Sequence, residues 1–236
     1  MKILAIGNSF SEDCTAHLER MMKDTDVTVR NLYIGGCSLA RHLSNLDGKV
    51  GEYELQRHGV MIGEHLVSAN EIIAGEDWDV ITVQEVSGNS GRYDDFAPML
   101  AGVLAHVRAL CPKAKIVWNQ TWSYATYSQH GSFPIYDRDT EKMFSMIESS
   151  SHRAAKDFGL GLIEVGKTIR ALRHSALADE SEFCRDGFHL SFLEGRYAAA
   201  YVWARYFSLP VNDYIPDGAD ASRILAIRAL IDAQGK

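Results

Sequence analysis

The sequence has no excess of positive charge and no long apolar run. Its 236 residues carry 24 Lys and Arg against 31 Asp and Glu, a formal net charge of -7. Without a basic surplus to neutralise phosphates, general nucleic-acid binding is not expected. No apolar run approaches the roughly 18 residues of a membrane-spanning helix, and the run at residues 3–6 ends too early for a signal peptide. As the chain stands, we expect a cytoplasmic protein with no membrane or nucleic-acid partner.

Cysteine is scarce and is not arranged for metal or redox chemistry. The four residues are widely scattered, and none forms a C-x-x-C pair: Cys14, Cys37, Cys111 and Cys184. This spacing predicts neither a zinc site nor a dithiol centre. We expect buried, unpaired thiols in a reducing compartment, and no metal ligands.

Five short apolar or β-branched segments alternate with helical patterns. The predicted strands are residues 3–6, 27–34, 79–84, 115–118 and 162–165. Because each parallel crossover carries a helix, the alternation predicts a three-layer α/β/α sandwich around a flavodoxin-like, five-stranded parallel sheet. The length fits a single domain over residues 1–236. Within it, residues 51–63 predict a small hairpin laid outside the main sheet.

The ligand site of such a sheet lies beyond the carboxyl ends of its strands. One loop at this edge carries Ser9, which follows a buried strand that ends at Gly7. At a strand-to-helix turn, a serine can act as a nucleophile while its own N–H faces an oxyanion. The alternative is that Ser9 only caps the helix that follows.

Near the other end of the chain, Asp186 precedes His189 by three residues. At this spacing the carboxylate can accept the Nδ1 proton and hold the imidazole in one tautomer, ready to act as a general base. The alternative is that Asp186 caps a helix that begins near His189. Together with Ser9, the pair predicts a serine hydrolase whose Ser-His-Asp triad assembles on folding.

Candidate oxyanion donors lie in the loops after the second and third strands, in addition to the N–H of Ser9. The Gly36 N–H can point into the site, and a glycine permits close approach of substrate. A side-chain amide could come from Gln84 or from Asn89. We favour Gln84, because a strand end is held more rigidly than a glycine-rich loop.

The longest irregular stretch, residues 119–136, is rich in polar and aromatic residues. Loops of this length in compact domains are often binding segments. Trp118 and Trp122 at its start are the candidates for stacking on a sugar ring or enclosing an acyl group. The alternative is that these rings only cover the sheet.

Together these motifs resemble the SGNH (GDSL-type) hydrolase superfamily, and within it a little-characterised bacterial branch. Residues 7–10, Gly-Asn-Ser-Phe, are similar to the first block of the family, with Asn where many members have Asp. Gly36 falls at the second block, and residues 186–189, Asp-Gly-Phe-His, match the fifth. The third block departs from the family's Gly-x-Asn-Asp, since residues 83–89 read Val-Gln-Glu-Val-Ser-Gly-Asn.

The resemblance implies a serine esterase of acyl or acetyl esters that needs no cofactor. Its expected partner is a small-molecule or carbohydrate ester. The same triad would serve an acyltransferase, which passes the acyl group to an alcohol instead of to water. A flavodoxin-like module that binds a ligand at the first loop is the non-catalytic alternative.

Overall fold

A seven-stranded sheet forms the centre of the molecule. The computed structural model describes residues 1–23 and 26–235. The strands are β1 (Lys2–Gly7), β2 (Thr28–Tyr33), β3 (Glu54–Arg57), β4 (Val60–Met61), β5 (Val80–Val83), β6 (Lys115–Asn119) and β7 (Gly161–Ile163). Their order across the sheet is β4-β3-β2-β1-β5-β6-β7.

The five strands from β2 to β7 in this order are parallel, as the sequence predicts. The hairpin of β3 and β4 does not lie outside the sheet, however, and that prediction was wrong. It pairs antiparallel with β2, with Asn31 opposite Gln56, and the side chains of this pair are joined by a 2.9 Å hydrogen bond. The hairpin satisfies the otherwise open backbone edge of β2, which is why the sheet has seven strands instead of five.

Helices cover both faces of the sheet. They are α1 (Ser9–Thr15), α2 (Leu39–Gly48), α3 (Ala69–Ala74), α4 (Tyr93–Leu110), α5 (Thr140–Phe158), α6 (Val165–Arg173), α7 (Glu194–Tyr206) and α8 (Ala221–Ala233). One face packs against α2, α3 and α4, and the other against α1, α6, α7 and α8. The three-layer α/β/α sandwich is therefore confirmed, with α5 contacting both α4 and α6.

The central strand β1 explains how the carboxyl edge is built. Alternate residues of β1 enter the cores on opposite faces, so the strand is apolar throughout. It ends at Gly7, which pairs with Tyr33 of β2. A Cβ at Gly7 would lie 2.5 Å from Ser11 Oγ, so a glycine is needed for α1 to start directly after the strand. The ends of β1, β2 and β5 thus meet at one edge.

Candidate active site

Ser9 is the first residue of α1, just beyond the end of β1. The preceding residue, Asn8, caps the helix. Its Oδ1 accepts the Phe10 N–H at 3.0 Å, and its Nδ2 donates to the Cys37 carbonyl at 2.9 Å. Because Asn8 provides the cap, the Ser9 hydroxyl is left for another partner. The interpretation of Ser9 as a plain helix cap was therefore wrong.

The structure brings Ser9, His189 and Asp186 into one hydrogen-bonded chain. Ser9 Oγ lies 2.8 Å from His189 Nε2, and His189 Nδ1 lies 2.7 Å from Asp186 Oδ2. The serine and the imidazole are 180 residues apart in sequence, so only the fold joins them. This is the geometry in which an imidazole takes the proton of an attacking hydroxyl.

The carboxylate of Asp186 fixes the tautomer of the neighbouring ring. Its Oδ1 accepts the N–H groups of Phe188 at 3.1 Å and of His189 at 2.8 Å. Partial burial alone would raise the pKa of Asp186, but the hydrogen bonds from the His189 ring and from the two N–H groups outweigh burial and lower this pKa. An ionised Asp186 accepts the Nδ1 proton and leaves Nε2 as the acceptor for Ser9. The next helix, α7, begins only at Glu194, so Asp186 caps no helix near His189.

A buried carboxylate on α1 holds the segment of residues 186–189 in place. Asp13 has no solvent exposure, and its Oδ2 accepts the Leu190 N–H at 2.8 Å. Its Oδ1 accepts hydrogen bonds from Arg185 at 3.0 Å and from Arg196 at 2.7 Å. Since Asp13 lies one turn beyond the serine, a single helix positions both the hydroxyl and the imidazole.

The long loop of residues 119–136 packs against the same segment. The Gly187 carbonyl accepts the Ala125 N–H at 2.8 Å, and a Cβ at Gly187 would lie 2.8 Å from the Ser128 Cα. The φ of +87° at Gly187 also favours glycine. The Asp-Gly-Phe-His motif therefore needs its glycine for both space and backbone conformation.

On the other side of Ser9, a tight turn follows β2. The Cys37 N–H donates to the Ile34 carbonyl at 3.1 Å, and Gly36 adopts a left-handed φ of +62°. Within the described residues, the N–H groups of Ser9 and Gly36 donate to no protein acceptor. The space around Gly36 is open on its Cβ side. Both N–H groups are therefore available to a ligand.

Gln84 does not face this open space. It is buried, its Nε2 donates to Asn8 Oδ1 at 3.0 Å, and its Oε1 accepts from Asn119 Nδ2 at 2.8 Å. Asn119 in turn accepts a hydrogen bond from the Trp203 indole at 3.0 Å. Gln84 is thus part of a buried amide network beneath the site, contrary to our preference for it as the oxyanion donor. A buried side-chain amide needs hydrogen-bond partners. Gln84 finds them within the protein, so its position at a strand end does not make it a donor to the site.

Asn89 ends a 3₁₀ turn, Ser87–Asn89, and its side chain is partly exposed. Among the described residues, its side-chain amide has no hydrogen-bond partner. Two buried tyrosines hold the turn in place. Ser87 Oγ lies 2.9 Å from Tyr124 Oη, and Tyr136 Oη donates to the Gly88 carbonyl at 3.0 Å. Asn89 is therefore a free amide on a supported turn.

Trp118 and Trp122 belong to the core, so the prediction that they contact substrate is not supported. Both rings are almost fully buried. Trp118 stacks on Phe96 of α4, and its indole N–H donates to Ser151 Oγ at 3.2 Å. Trp122 stacks on Phe10, where it supports the start of α1. Both rings lie where the alternative interpretation puts them, packed over the sheet.

The comparisons with known proteins agree with this architecture. Residues 2–229 match the family model described as a domain of unknown function, DUF4886. The chain belongs to the DUF4886 family. A DUF4886 protein from Bacteroides uniformis has a similar structure, with 31% identity and a TM-score of 0.89 over 99% of this chain and 93% of that chain. Among curated proteins, no sequence matches this chain.

More distant structures place this DUF4886 chain within a larger fold group. A candidate SGNH hydrolase from Slackia heliotrinireducens is 24% identical, with a TM-score of 0.63 over 88% of this chain and 98% of that chain. An acetylxylan esterase from Geobacillus stearothermophilus is 11% identical, with a TM-score of 0.56 over 88% and 94%. At such identities the likeness shows the fold alone, and it confirms the predicted SGNH-hydrolase fold.

Three further features of this DUF4886 chain concern its cysteines, groups of metal-ligating side chains and membrane-spanning helices. All four cysteines are buried and unpaired, as predicted. In residues 1–23 and 26–235, no three His, Cys, Asp or Glu side chains are grouped as metal ligands would be. No helix in the described part of the chain is long and apolar enough to cross a membrane.

Sequence reasoning missed two buried carboxyl groups beside the site. One is Asp13, whose signal is an acidic residue between Phe10 and Cys14 on the inward face of α1. The other is Glu85, whose Oε1 accepts the Leu39 N–H at 3.1 Å and the Val86 N–H at 2.6 Å. Burial raises the pKa of Glu85 to about 7, against the opposing effect of these two hydrogen bonds. Glu85 thereby ties the start of α2, just after the Gly36 turn, to the loop that leads to Asn89.

Proposed function

We propose that this chain is a serine esterase, with Ser9 as nucleophile, His189 as general base and Asp186 as the group that orients it. The observation that carries the proposal is the chain of short contacts from Ser9 Oγ to His189 at 2.8 Å and from His189 to Asp186 at 2.7 Å. A surface serine and histidine have no structural need of such an arrangement, and the cap of α1 is already supplied by Asn8.

The proposed reaction proceeds through an acyl-enzyme. His189 Nε2 takes the proton of the Ser9 hydroxyl as its oxygen attacks the ester carbonyl. The protonated ring then gives this proton to the leaving alcohol oxygen, and the acyl group stays on Ser9. In the second half, His189 activates a water molecule that attacks the acyl-enzyme and releases the acid. Asp186 stabilises the imidazolium in both halves.

The charge that develops on the carbonyl oxygen needs donors that are not otherwise engaged. The N–H groups of Ser9 and Gly36 meet this requirement, and so does the side-chain amide of Asn89. We therefore assign the third donor to Asn89 and leave Gln84 as a support for Asn8. Esters of acyl or acetyl groups are the proposed substrates, and the shared fold with an acetylxylan esterase supports carbohydrate esters among them.

The decisive experiment compares wild-type protein with Ser9→Ala on p-nitrophenyl acetate. We expect kcat to fall on the order of 10⁴-fold or more, because the attacking oxygen is lost. Ser11→Ala is the matched control, since the Ser11 hydroxyl lies on the same helix but is within hydrogen-bond distance of Asn8 O and Asn31 Oδ1 instead of His189. A fluorophosphonate should label wild type and Ser11→Ala but not Ser9→Ala. Equal turnover by Ser9→Ala, or labelling that survives this substitution, would exclude the proposed nucleophile.

A further inference from the structure

The half-buried ring of His130 lies beside the proposed catalytic histidine and has no place in the mechanism above. Its centroid is 4.8 Å from the ring of Phe188, whose own centroid is 4.1 Å from that of His189. It also lies 4.6 Å from the ring of Tyr124, which itself packs against Phe188 at 5.9 Å. Phe188 is partly exposed, so His130 and Phe188 form adjoining parts of one wall.

The position of this wall relative to the substrate follows from the mechanism. His189 must protonate the leaving oxygen, so the alcohol part of the ester lies on the His189 side of the nucleophile. We infer that it extends from there along the ring of Phe188, which adjoins His189, and then along the ring of His130. Tyr124 is fully buried behind these two rings and contacts Ser87, so it links them to the turn that carries Asn89.

The hydrogen bonds of His130 fix which ring nitrogen carries the proton. Its Nδ1 accepts the Ser132 N–H at 3.1 Å, and therefore a neutral ring carries its proton on Nε2. Burial lowers the pKa of His130, and charge on His189 lowers it further, against the attraction of Asp186. In that tautomer the ring presents an Nε2–H that has no acceptor among the described residues.

The backbone of the loop around His130 is held by its own hydrogen bonds and packing. The His130 N–H donates to Ser128 Oγ at 3.3 Å, and its carbonyl accepts the Phe133 N–H at 2.9 Å. A Cβ at Gly88 would lie 2.5 Å from Ser132 Oγ, so the loop is tightly packed against the turn that carries Asn89. A fixed, half-buried donor without a protein partner is suited to a ligand.

We propose that His130 is a specificity-determining residue, whose Nε2–H binds an oxygen of the substrate's alcohol part while Phe188 contacts its apolar face. The substrates it selects are esters of polyhydroxylated alcohols, of which sugars are one source. This inference rests on the proposed esterase function, because it takes the leaving-group side from the role of His189. It explains how the protein would prefer esters of one alcohol over esters of another.

Two acetate esters with the same carbon skeleton test this preference. Glycerol 1-acetate and propyl acetate share the acyl group and differ only in two hydroxyl groups. We expect the wild-type protein to have a kcat/KM for the glycerol ester about tenfold higher, as one uncharged hydrogen bond allows. The difference should lie mainly in KM, because the contact is made in both ground and transition states.

Two variants separate the donor from its structural role. His130→Asn keeps an acceptor for the Ser132 N–H but has no donor at the Nε2 position. His130→Gln can place an amide donor near that position but loses the loop acceptor. We expect His130→Asn to remove the roughly tenfold preference by raising KM for the glycerol ester alone, and His130→Gln to retain part of it.

Each outcome bears on one claim. A wild-type preference of one or less would overturn the role of His130, whatever the variants do and even if they fail to fold. Equal losses on both esters in His130→Asn would also overturn it, since they would show that the ring only supports the loop. No hydrolysis of either ester by wild type, together with no fluorophosphonate labelling, would instead remove the proposed esterase function.

Discussion

The two sides of Ser9 are held in different ways. On the side of the proposed general base, the base side, the Asp186 carboxylate accepts three hydrogen bonds from the His189 ring and nearby N–H groups, and the buried Asp13 carboxylate pairs with two guanidinium groups. On the side of the proposed oxyanion donors, the oxyanion side, the N–H groups of Ser9 and Gly36 and the Asn89 amide have no partner among the described residues.

This difference is what the proposed mechanism requires of each side. A general base must be oriented before substrate arrives, so its partners are part of the protein. Donors to an oxyanion must stay unpaired until charge develops, so their positions have to be fixed by neighbouring groups. Asp13 supports the base side and Glu85 the oxyanion side. Both are buried carboxyl groups, but the hydrogen bonds to Glu85 come from backbone N–H groups alone.

The largest loss of stability is expected when the buried Asp13 carboxylate, which supports the base side, is removed. Asp13→Asn should lower the free energy of unfolding by about 3 kcal/mol, because it removes the buried carboxylate from Arg185 and Arg196, of which Arg196 keeps Glu12 as a second partner. Urea denaturation measures the change. Glu141→Gln is the matched control. Its carboxylate accepts from an arginine Nε at the same 2.7 Å as Asp13, but on the surface, where a loss below about 1 kcal/mol is expected. Equal losses in the two variants would show that burial of Asp13 contributes nothing.

The next largest effects distinguish the side-chain amide of Asn89 from that of Gln84. Asn89→Ala should reduce kcat for p-nitrophenyl acetate on the order of 10²-fold while leaving the free energy of unfolding nearly unchanged. Gln84→Met, which keeps the length of the side chain, should lower that free energy by about 1–3 kcal/mol, since Asn8 and Asn119 lose buried partners. Unchanged kcat in Asn89→Ala, with normal stability in Gln84→Met, would return the donor role to Gln84.

The sequence predicts the parts of this site that depend on local spacing. Asp186 and His189 are three residues apart, and Ser9 follows an apolar strand, so both could be placed at the carboxyl edge before the structure was known. The role of an amide is different, because it depends on contacts distant in sequence. Gln84 is paired with Asn8, 76 residues away, and neither residue type nor spacing signals that partner.

The same distinction applies to the fold. The five parallel strands follow from the alternation of apolar segments and helical patterns, each of which is local. Whether the hairpin at Glu54–Arg57 joins the sheet depends on the open edge of β2, which is a property of the assembled sheet. Likewise, the ring of Trp118 turns toward α4 because of the core that α4 supplies. Composition alone does not distinguish such a ring from one at the surface.

The smallest expected effect is the pH dependence of stability that comes from Glu85, and it distinguishes this buried carboxyl group from Asp13. Burial raises the pKa of Glu85 to about 7, above the 4.5 of an unperturbed glutamate, so the folded protein keeps this proton where the unfolded chain has lost it. Wild-type stability should therefore fall as pH rises from about 4.5 to 7, by on the order of 2 kcal/mol from this group. Glu85→Gln keeps an oxygen for the Leu39 and Val86 N–H groups but cannot ionise. Its free energy of unfolding relative to wild type should thus rise between pH 5 and pH 8, as urea denaturation at each pH would measure. A constant difference would mean that Glu85 is charged throughout this range, and the contrast with Asp13 would then be one of partners only.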